Sequence, residues 1–317
     1  MEYIRNNLKF TIGEPTVITL GKFDGLHRGH ELLIENLLAK KREHKAKALV
    51  FTFDIPPRRR AGDEDVKVLT TNEEKRWIFA KTGVDYLYEC PFTPQVMGME
   101  PEEFIRWIAE AFSVRCIVAG EDFRFGHNRA GDTSVLADFA GRCDYELIVL
   151  KKIQEDGRDI SSSFVREEIE KGDIEKANRL LGYPFFLRGE VVSGRQLGRT
   201  IGFPTVNMEI PPEKTMPQNG VYASRVLIED KVWPSVTNVG SKPTVNDSGT
   251  VGAETHIIGY DGDLYGQTLT VELFSFLRPE QKFASVAALQ AQMERDTERS
   301  EIYYKNVTKF YYKNITE

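Results

Sequence analysis

Cysteine is scarce in this chain, and the few present do not pair. Only Cys90, Cys116 and Cys143 occur, widely spaced and with no C-x-x-C among them. Neither a zinc knuckle nor a disulfide framework is supported, so buried, reduced thiols are the ordinary reading. Long apolar runs are missing too. No stretch approaches the ~18 residues that a membrane span needs, and the opening MEYIRNNLKF has no apolar core of a secretory signal. A cytoplasmic location without a membrane partner is therefore expected. Excess positive charge is also absent: 42 Lys and Arg against 48 Asp and Glu leave a net charge of −6. That argues against nucleic acid held on a broad basic face. Anionic ligands must then be met locally, by helix N-termini, backbone amides and single Arg, Lys or His side chains. The densest basic stretches are residues 40–44 and 58–60. The first sits near the end of a predicted helix, where positive charge suits the dipole. Walker A and G-x-G-x-x-G sequences are both absent.

What is present fits a soluble globular chain of 317 residues and, by length, two domains. Residues 16–20 and 47–53 read as strands, the second apolar almost throughout, as in a parallel sheet covered on both faces. Between them, 31–42 has helical spacing of leucines. Helices are expected at 71–82 (capped by Asn72), 101–112 and 134–142, with strands at 85–89, 116–119 and 145–150. Strands alternating with helices argue for a doubly wound parallel α/β sheet, with ligands at the carboxyl ends of its strands. Two short helices follow at 163–171 and 173–181. From Tyr183 the text becomes β-rich, at 189–192, 220–228, 253–260 and 267–277. Asp261-Gly262-Asp263 reads as a hairpin turn between the last two. A small antiparallel barrel with a terminal helix from Ser285 is expected. The boundary is placed near Gly182, giving domains 1–182 and 183–317, the first including a small helical part.

The first candidate site is Gly21-Lys22-Phe23-Asp24-Gly25-Leu26-His27-Arg28-Gly29-His30. It joins the first of these strands to its helix. Glycines let backbone approach a ligand, and the helix N-terminus supplies unpaired N–H groups. His27 and His30 can converge there on one anion and stabilise charge on an α-phosphate as pyrophosphate leaves. The H-x-G-H pattern is that of the nucleotidyltransferase superfamily. Its longer form, G-x-F-D-G-x-H-x-G-H, resembles the FMN adenylyltransferase module of prokaryotic FAD synthetases. The resemblance implies a Rossmann-like domain in which His27 and His30 are catalytic, with Gly21, Phe23, Asp24, Gly25 and Gly29 around the nucleotide. Two further segments match that module. Asp122, Phe123, Arg124, Phe125 and Arg129 lie in its G-x-[DN]-F-x-F-G-x-x-R-x-G-D stretch, with flavin- or phosphate-binding roles implied. Ile160-Ser161-Ser162-Ser163-Phe164-Val165-Arg166 is similar to its I-S-S-T-x-[IV]-R, which implies that Ser162 and Arg166 bind nucleotide. A serine cluster opening a helix, with Arg166 one turn in, is also a plain anion cradle. Phe53 and Asp54 match the start of the family's F-D-P-H-P, with Asp54 implied as a ligand-binding residue. Ile55-Pro56-Pro57 then departs from it, and the histidine is missing.

The second candidate site is Gly198-Arg199-Thr200-Ile201-Gly202-Phe203-Pro204-Thr205-Val206-Asn207. Thr205 and Asn207 present oxygen atoms from one face of an extended segment and suit Mg2+. The stretch looks like the G-R-x-x-G-F-P-T-A-N motif of riboflavin kinases. That resemblance implies that Gly198, Arg199, Gly202, Pro204, Thr205 and Asn207 bind ATP or flavin, that Thr205 and Asn207 hold Mg-ATP, and that Glu254 is the general base for the riboflavin 5′-hydroxyl. Gly220-Val221-Tyr222, Asn238-Val239-Gly240, Pro243-Thr244 and Leu277-Arg278-Pro279-Glu280 also follow the family's order. The implied activity is ATP-dependent conversion of riboflavin to FMN, then of FMN to FAD and pyrophosphate. ATP, riboflavin and FMN are the implied partners, and the oligomeric state is left open. Two other readings remain open: a kinase whose adenylyltransferase half is weak or lost, and a non-catalytic flavin-binding regulator.

Overall fold

A computed structural model describes residues 1–54, 67–194, 198, 201–229, 231–241 and 251–311. By internal contacts the chain forms two compact units, Met1–Ser162 and Ser163–Glu317.

In the first unit the order is β1 (Glu2–Arg5), β2 (Thr16–Leu20), α1 (Arg28–Glu43), β3 (Lys47–Asp54), α2 (Asn72–Phe79) and β4 (Tyr86–Pro91). There follow α3 (Pro94–Met97), α4 (Pro101–Ala111), β5 (Val114–Gly120), α5 (Thr133–Ala140) and β6 (Glu146–Leu150), then the short pair β7 (Gln154–Glu155) and β8 (Arg158–Asp159). The main sheet runs β1-β4-β3-β2-β5-β6 with every neighbour parallel. All of β2 and most of β3 are buried, because α1 covers β2, β3 and β5 and α4 packs on β5. The order reverses at β2, which leaves β3 on one side and β5 on the other. This switch point sets the carboxyl ends of β2 and β5 side by side, where open α/β sheets bind ligands.

Two expectations for this unit change. The edge strand β1 escaped a pattern reading because it is short and largely polar. The cap of α2 is Thr71, not Asn72. The Thr71 hydroxyl accepts from Glu74 N and the Glu74 carboxylate accepts from Thr71 N, a reciprocal capping box. Asn72, freed from that role, donates to Asp54 Oδ1 at 3.2 Å.

The second unit opens with α6 (Ser162–Glu170), whose first residue falls in unit one, and α7 (Ile174–Leu181). It continues with β9 (Phe186–Val192), β10 (Thr205–Glu209), β11 (Gly220–Ile228), β12 (Lys231–Ser241), β13 (Val251–Ile257), β14 (Thr268–Arg278) and α8 (Val286–Tyr311). The six strands close as β10-β13-β12-β11-β14-β9, antiparallel throughout. Asn178 of α7 donates to Leu273 O (2.9 Å) and accepts from Phe185 N (2.7 Å), so the helical pair is tied to β14. The compact units thus divide at 162/163, whereas the motifs change near Gly182.

One strand face is sealed and the other is open. Ser224, Ser235, Thr237 and Thr255 are fully buried and linked hydroxyl to hydroxyl at 2.7–2.9 Å. Alternation then puts Asn238 and Glu254 on the opposite face of β12 and β13. The expected hairpin at Asp261-Gly262-Asp263 is not one. β13 pairs with β10 and β12, and β14 with β9 and β11, so the connection crosses the barrel instead of turning back on itself. Strand β12 was not foreseen because Pro234 interrupts its pattern. Pro234 sits opposite Arg225 at the point where the pairing with β13 ends, and its carbonyl still accepts from Ile258 N at 2.9 Å.

Candidate active sites

The loop between β2 and α1 is wound tightly. Phe23, Gly25 and Leu26 hold φ of +49°, +81° and +36°. A Cβ on Gly25 would lie 2.6 Å from Leu69 Cδ1, so both conformation and packing demand glycine there. Phe23 is fully buried and supports the loop from below, its ring meeting those of His30 (5.1 Å) and Phe79 (5.6 Å). One oxygen of Asp24 accepts from Leu69 N (2.8 Å) and Thr70 N (3.1 Å), while Gly25 N donates to Thr70 Oγ1 (3.0 Å). Asp24 thereby fixes the approach to α2 against the loop.

His27 is the N-cap of α1 yet makes no side-chain cap; its carbonyl accepts from His30 N (2.7 Å), so the amides it leaves uncapped are those of Arg28 and Gly29. Its ring stacks on that of His30 with centroids 3.8 Å apart and planes at 21°. Both Nδ1 atoms are buried without a hydrogen-bond partner among the described residues. Burial pushes His27 down to about 4, against the opposing field of Asp122, and holds His30 well below the ordinary histidine range. The pair is neutral at pH 7. Two neutral imidazoles can donate to phosphate oxygens without carrying a charge of their own.

Other expected residues gather unevenly around this cradle. Asp122, just past β5, is electrostatically coupled to His27 and bridged by Lys152 Nζ at 3.0 Å. Ser162 donates to Asp24 O at 2.8 Å, which ties that serine to the loop. Phe125 is in the core against Phe104 (5.5 Å), with the half-buried Phe123 stacked on it at 5.4 Å. Arg124 and Arg129 are exposed. Asp54, at the carboxyl end of β3, pairs with Arg5 at 3.2 Å. Arg166 lies on α6 in the second unit. Residues 55–60, which include the departure from the family pattern, lie outside the described residues, as do Arg199 and Pro243-Thr244.

The barrel site forms on the open face of β10, β13 and β12. Register sets Asn207 beside Glu254 and Glu254 beside Asn238. The Thr205 hydroxyl donates to Glu254 Oε1 at 2.6 Å. Two glycines make room. A Cβ on Gly194 would lie 2.1 Å from Asn207 Nδ2, and one on Gly198 would lie 2.2 Å from Phe203 O. Gly202 turns at φ +83°, and Pro204 O accepts from His256 Nδ1 at 2.8 Å. A hydroxyl, an amide and a carboxylate thus converge, a hard oxygen set of the kind Mg2+ takes.

Comparison with known proteins gives both halves a family. Residues 9–164 match the FAD synthetase family and residues 181–304 the riboflavin kinase family. A bifunctional riboflavin kinase/FMN adenylyltransferase from Listeria monocytogenes is 33% identical over 91% of this chain and 92% of its own length. The protein of that name from Escherichia coli is 36% identical, over 93% and 96%. The chain belongs to the bifunctional riboflavin kinase/FMN adenylyltransferase family. A solved structure from Streptococcus pneumoniae, described as a macrolide-efflux protein, matches with a TM-score of 0.84 at 30% identity, over 94% of this chain and 98% of that one. No described helix of the present chain is long and apolar enough to cross a membrane.

For a member of this family the sequence reading missed several residues beside the sites. Lys152 salt-bridges Asp122, and Lys75 of α2 is buried near His30. In the barrel, Asn238 Nδ2 donates to Glu280 Oε1 at 3.1 Å, and a Cβ on Gly240 would meet that same oxygen at 2.2 Å. Asn238, Gly240 and Glu280 fell within the noted motifs, but nothing in sequence alone joins them. Far from the loop, His44, Cys116 and Glu146 gather near the amino ends of β5 and β6. Glu146 is already paired with Lys40 (2.8 Å) and His44 (2.9 Å), and burial pushes the Cys116 thiol up to about 12, so this group is an internal ion pair beside an inert thiol.

Proposed function

We propose that this chain converts riboflavin to FMN at the barrel and FMN to FAD at the α/β unit, each at the expense of one ATP. The observations that support the reading are that His27 stacks on His30 at the start of α1, and that Thr205, Asn207 and Glu254 meet on neighbouring strands of the barrel. At the barrel, Glu254 takes the proton of the riboflavin 5′-hydroxyl, the oxygen attacks the γ-phosphorus of ATP, and ADP leaves. The Thr205 hydroxyl on Oε1 orients that carboxylate. Thr205 and Asn207 hold Mg2+, which when bound neutralises charge on the transferring phosphate. Gly198, Arg199, Gly202 and Pro204 shape the nucleotide loop.

In the α/β unit, a phosphate oxygen of FMN attacks the α-phosphorus of a second ATP and pyrophosphate departs. His27 and His30, with the α1 amides, stabilise the charge that develops. Gly21, Phe23, Asp24, Gly25 and Gly29 build the cradle, Ser162 beside them binds nucleotide, and a nucleotide-binding role for Arg166 rests on the motif alone. Asp54, Asp122, Arg124 and Arg129 serve the flavin phosphate side. The partly exposed rings of Phe53, Phe92 and Phe123 offer apolar surface for an isoalloxazine, with Phe125 behind them. The module boundary is placed near Gly182 and the location in the cytoplasm. Incubating the purified protein with Mg-ATP and either riboflavin or FMN, then separating the flavins, tests the reading. FAD from both starting flavins is expected. FMN that accumulates and never becomes FAD would instead favour a kinase with a lost adenylyltransferase.

A further inference from the structure

Lys75 is 7% exposed, yet among the described residues its ammonium makes no hydrogen bond and no ion pair. Helix α2 carries it on the same side as Phe79, one turn on, and Phe79 packs against Phe23 beneath His30. The pinning of residues 69 and 70 by Asp24 and Gly25 fixes this helix against the catalytic loop. His30, Asp24, Asp54 and Glu89 all feel the Lys75 charge. Asp24 accepts from the amides of 69 and 70, Asp54 from Arg5 and Asn72, and Glu89 Oε2 from Tyr3 with Arg5 Nε 3.8 Å away, while Glu89 Oε1 is buried without a partner among the described residues and makes no hydrogen bond with Lys75. They offset the ammonium's charge across a gap but leave its three donors unused.

A largely buried cation without a hydrogen-bonded protein partner is costly even where its ammonium reaches solvent, as Lys75 Nζ does. Burial accordingly holds the Lys75 ammonium below the usual lysine range. A fold carries such a group where something arrives to use it, and beside two unpaired imidazoles at a helix N-terminus the fitting ligand is a phosphate oxyanion. We propose that Lys75 is a substrate-binding cation of the adenylyltransferase site, donating to a phosphate of FMN or of ATP alongside His27 and His30. The inference rests on the adenylyltransferase reading above.

The test is steady-state kinetics of FAD formation by Lys75→Met, with riboflavin phosphorylation by the same preparation as the control for an intact chain. A loss of a hundredfold or more in kcat/KM for FAD formation is expected, with riboflavin phosphorylation within twofold of wild type. A rise confined to the KM for FMN assigns the contact to the flavin phosphate. A rise in the KM for ATP, or a fall in kcat alone, assigns it to the ATP phosphates. Rates and both KM values within twofold of wild type would overturn the proposal. Should the variant lose its first unit's unfolding transition, acetylation of Lys75 in the wild-type protein decides, read by mass spectrometry with and without inorganic pyrophosphate or FMN. Protection by either supports the contact, and an unchanged rate with both overturns it. If wild type itself makes no FAD, the adenylyltransferase reading fails, and the same protection experiment still judges whether Lys75 meets phosphate.

Discussion

Mild acid should unfold the Met1–Ser162 unit selectively through His27. Burial takes this imidazole from 6.5 to about 4 in the fold. A base whose folded value lies below its unfolded one takes up its proton on unfolding. The unfolded chain therefore binds more protons between about pH 6.5 and pH 4, and stability falls as pH falls through that window. A change of about 2.5 pH units at ~1.4 kcal/mol each gives about 3 kcal/mol by pH 4, of which about 2 kcal/mol is lost by pH 5. His30 adds to the effect with the same sign. The assay is urea unfolding from pH 7 to pH 4.5, followed by tryptophan fluorescence with Trp233→Phe as background, so that Trp77 and Trp107 report the first unit. Carboxylates that lose their partners in acid contribute equally to wild type and to His27→Asn, so the difference between the two isolates the imidazole. Wild type should lose about 2 kcal/mol more than the variant between pH 7 and pH 5. Equal losses would refute the claim that a neutral, desolvated His27 is built into the loop.

Three substitutions probe the sites' construction. Gly25→Ala places a Cβ against Leu69 at a left-handed φ, and should cost the first unit about 2 kcal/mol or more in urea unfolding. Thr205→Val removes the hydroxyl that holds Glu254. A hydrogen bond to a charged group is worth about 1.5–3 kcal/mol, so riboflavin phosphorylation should fall roughly ten- to a hundredfold while FMN adenylylation stays within twofold. Gly194→Ala pushes the Asn207 amide aside and should raise the KM for Mg-ATP in the kinase reaction more than it lowers kcat, measured with riboflavin in excess.

Much of this fold could be read from sequence, and the failures have physical causes. Strands β2 and β11 have the predicted bounds because an apolar run framed by polar residues leaves few alternatives. Strand β12 hid behind Pro234, which sits where the pairing with β13 ends. The Asp261-Gly262-Asp263 segment has turn chemistry, but local chemistry does not say which strand comes next in a closed barrel. The His27–His30 cradle was legible because its spacing and helix-start position are local features. Lys75 was not. A lysine after two glutamates on a helix reads as solvated, and its burial follows only from how Asp24 draws the start of α2 onto the loop. Cross-strand neighbours such as Asn207, Glu254 and Asn238 likewise become a group only once register is known.

The central claim is that one chain runs two chemistries at two separate sites, and Glu254→Gln tests it most directly. The variant is given riboflavin with Mg-ATP in one reaction and FMN with Mg-ATP in another, and the flavins are separated. The account predicts no FMN from riboflavin and wild-type conversion of supplied FMN to FAD. Equal loss of both reactions, or retention of both, would contradict it.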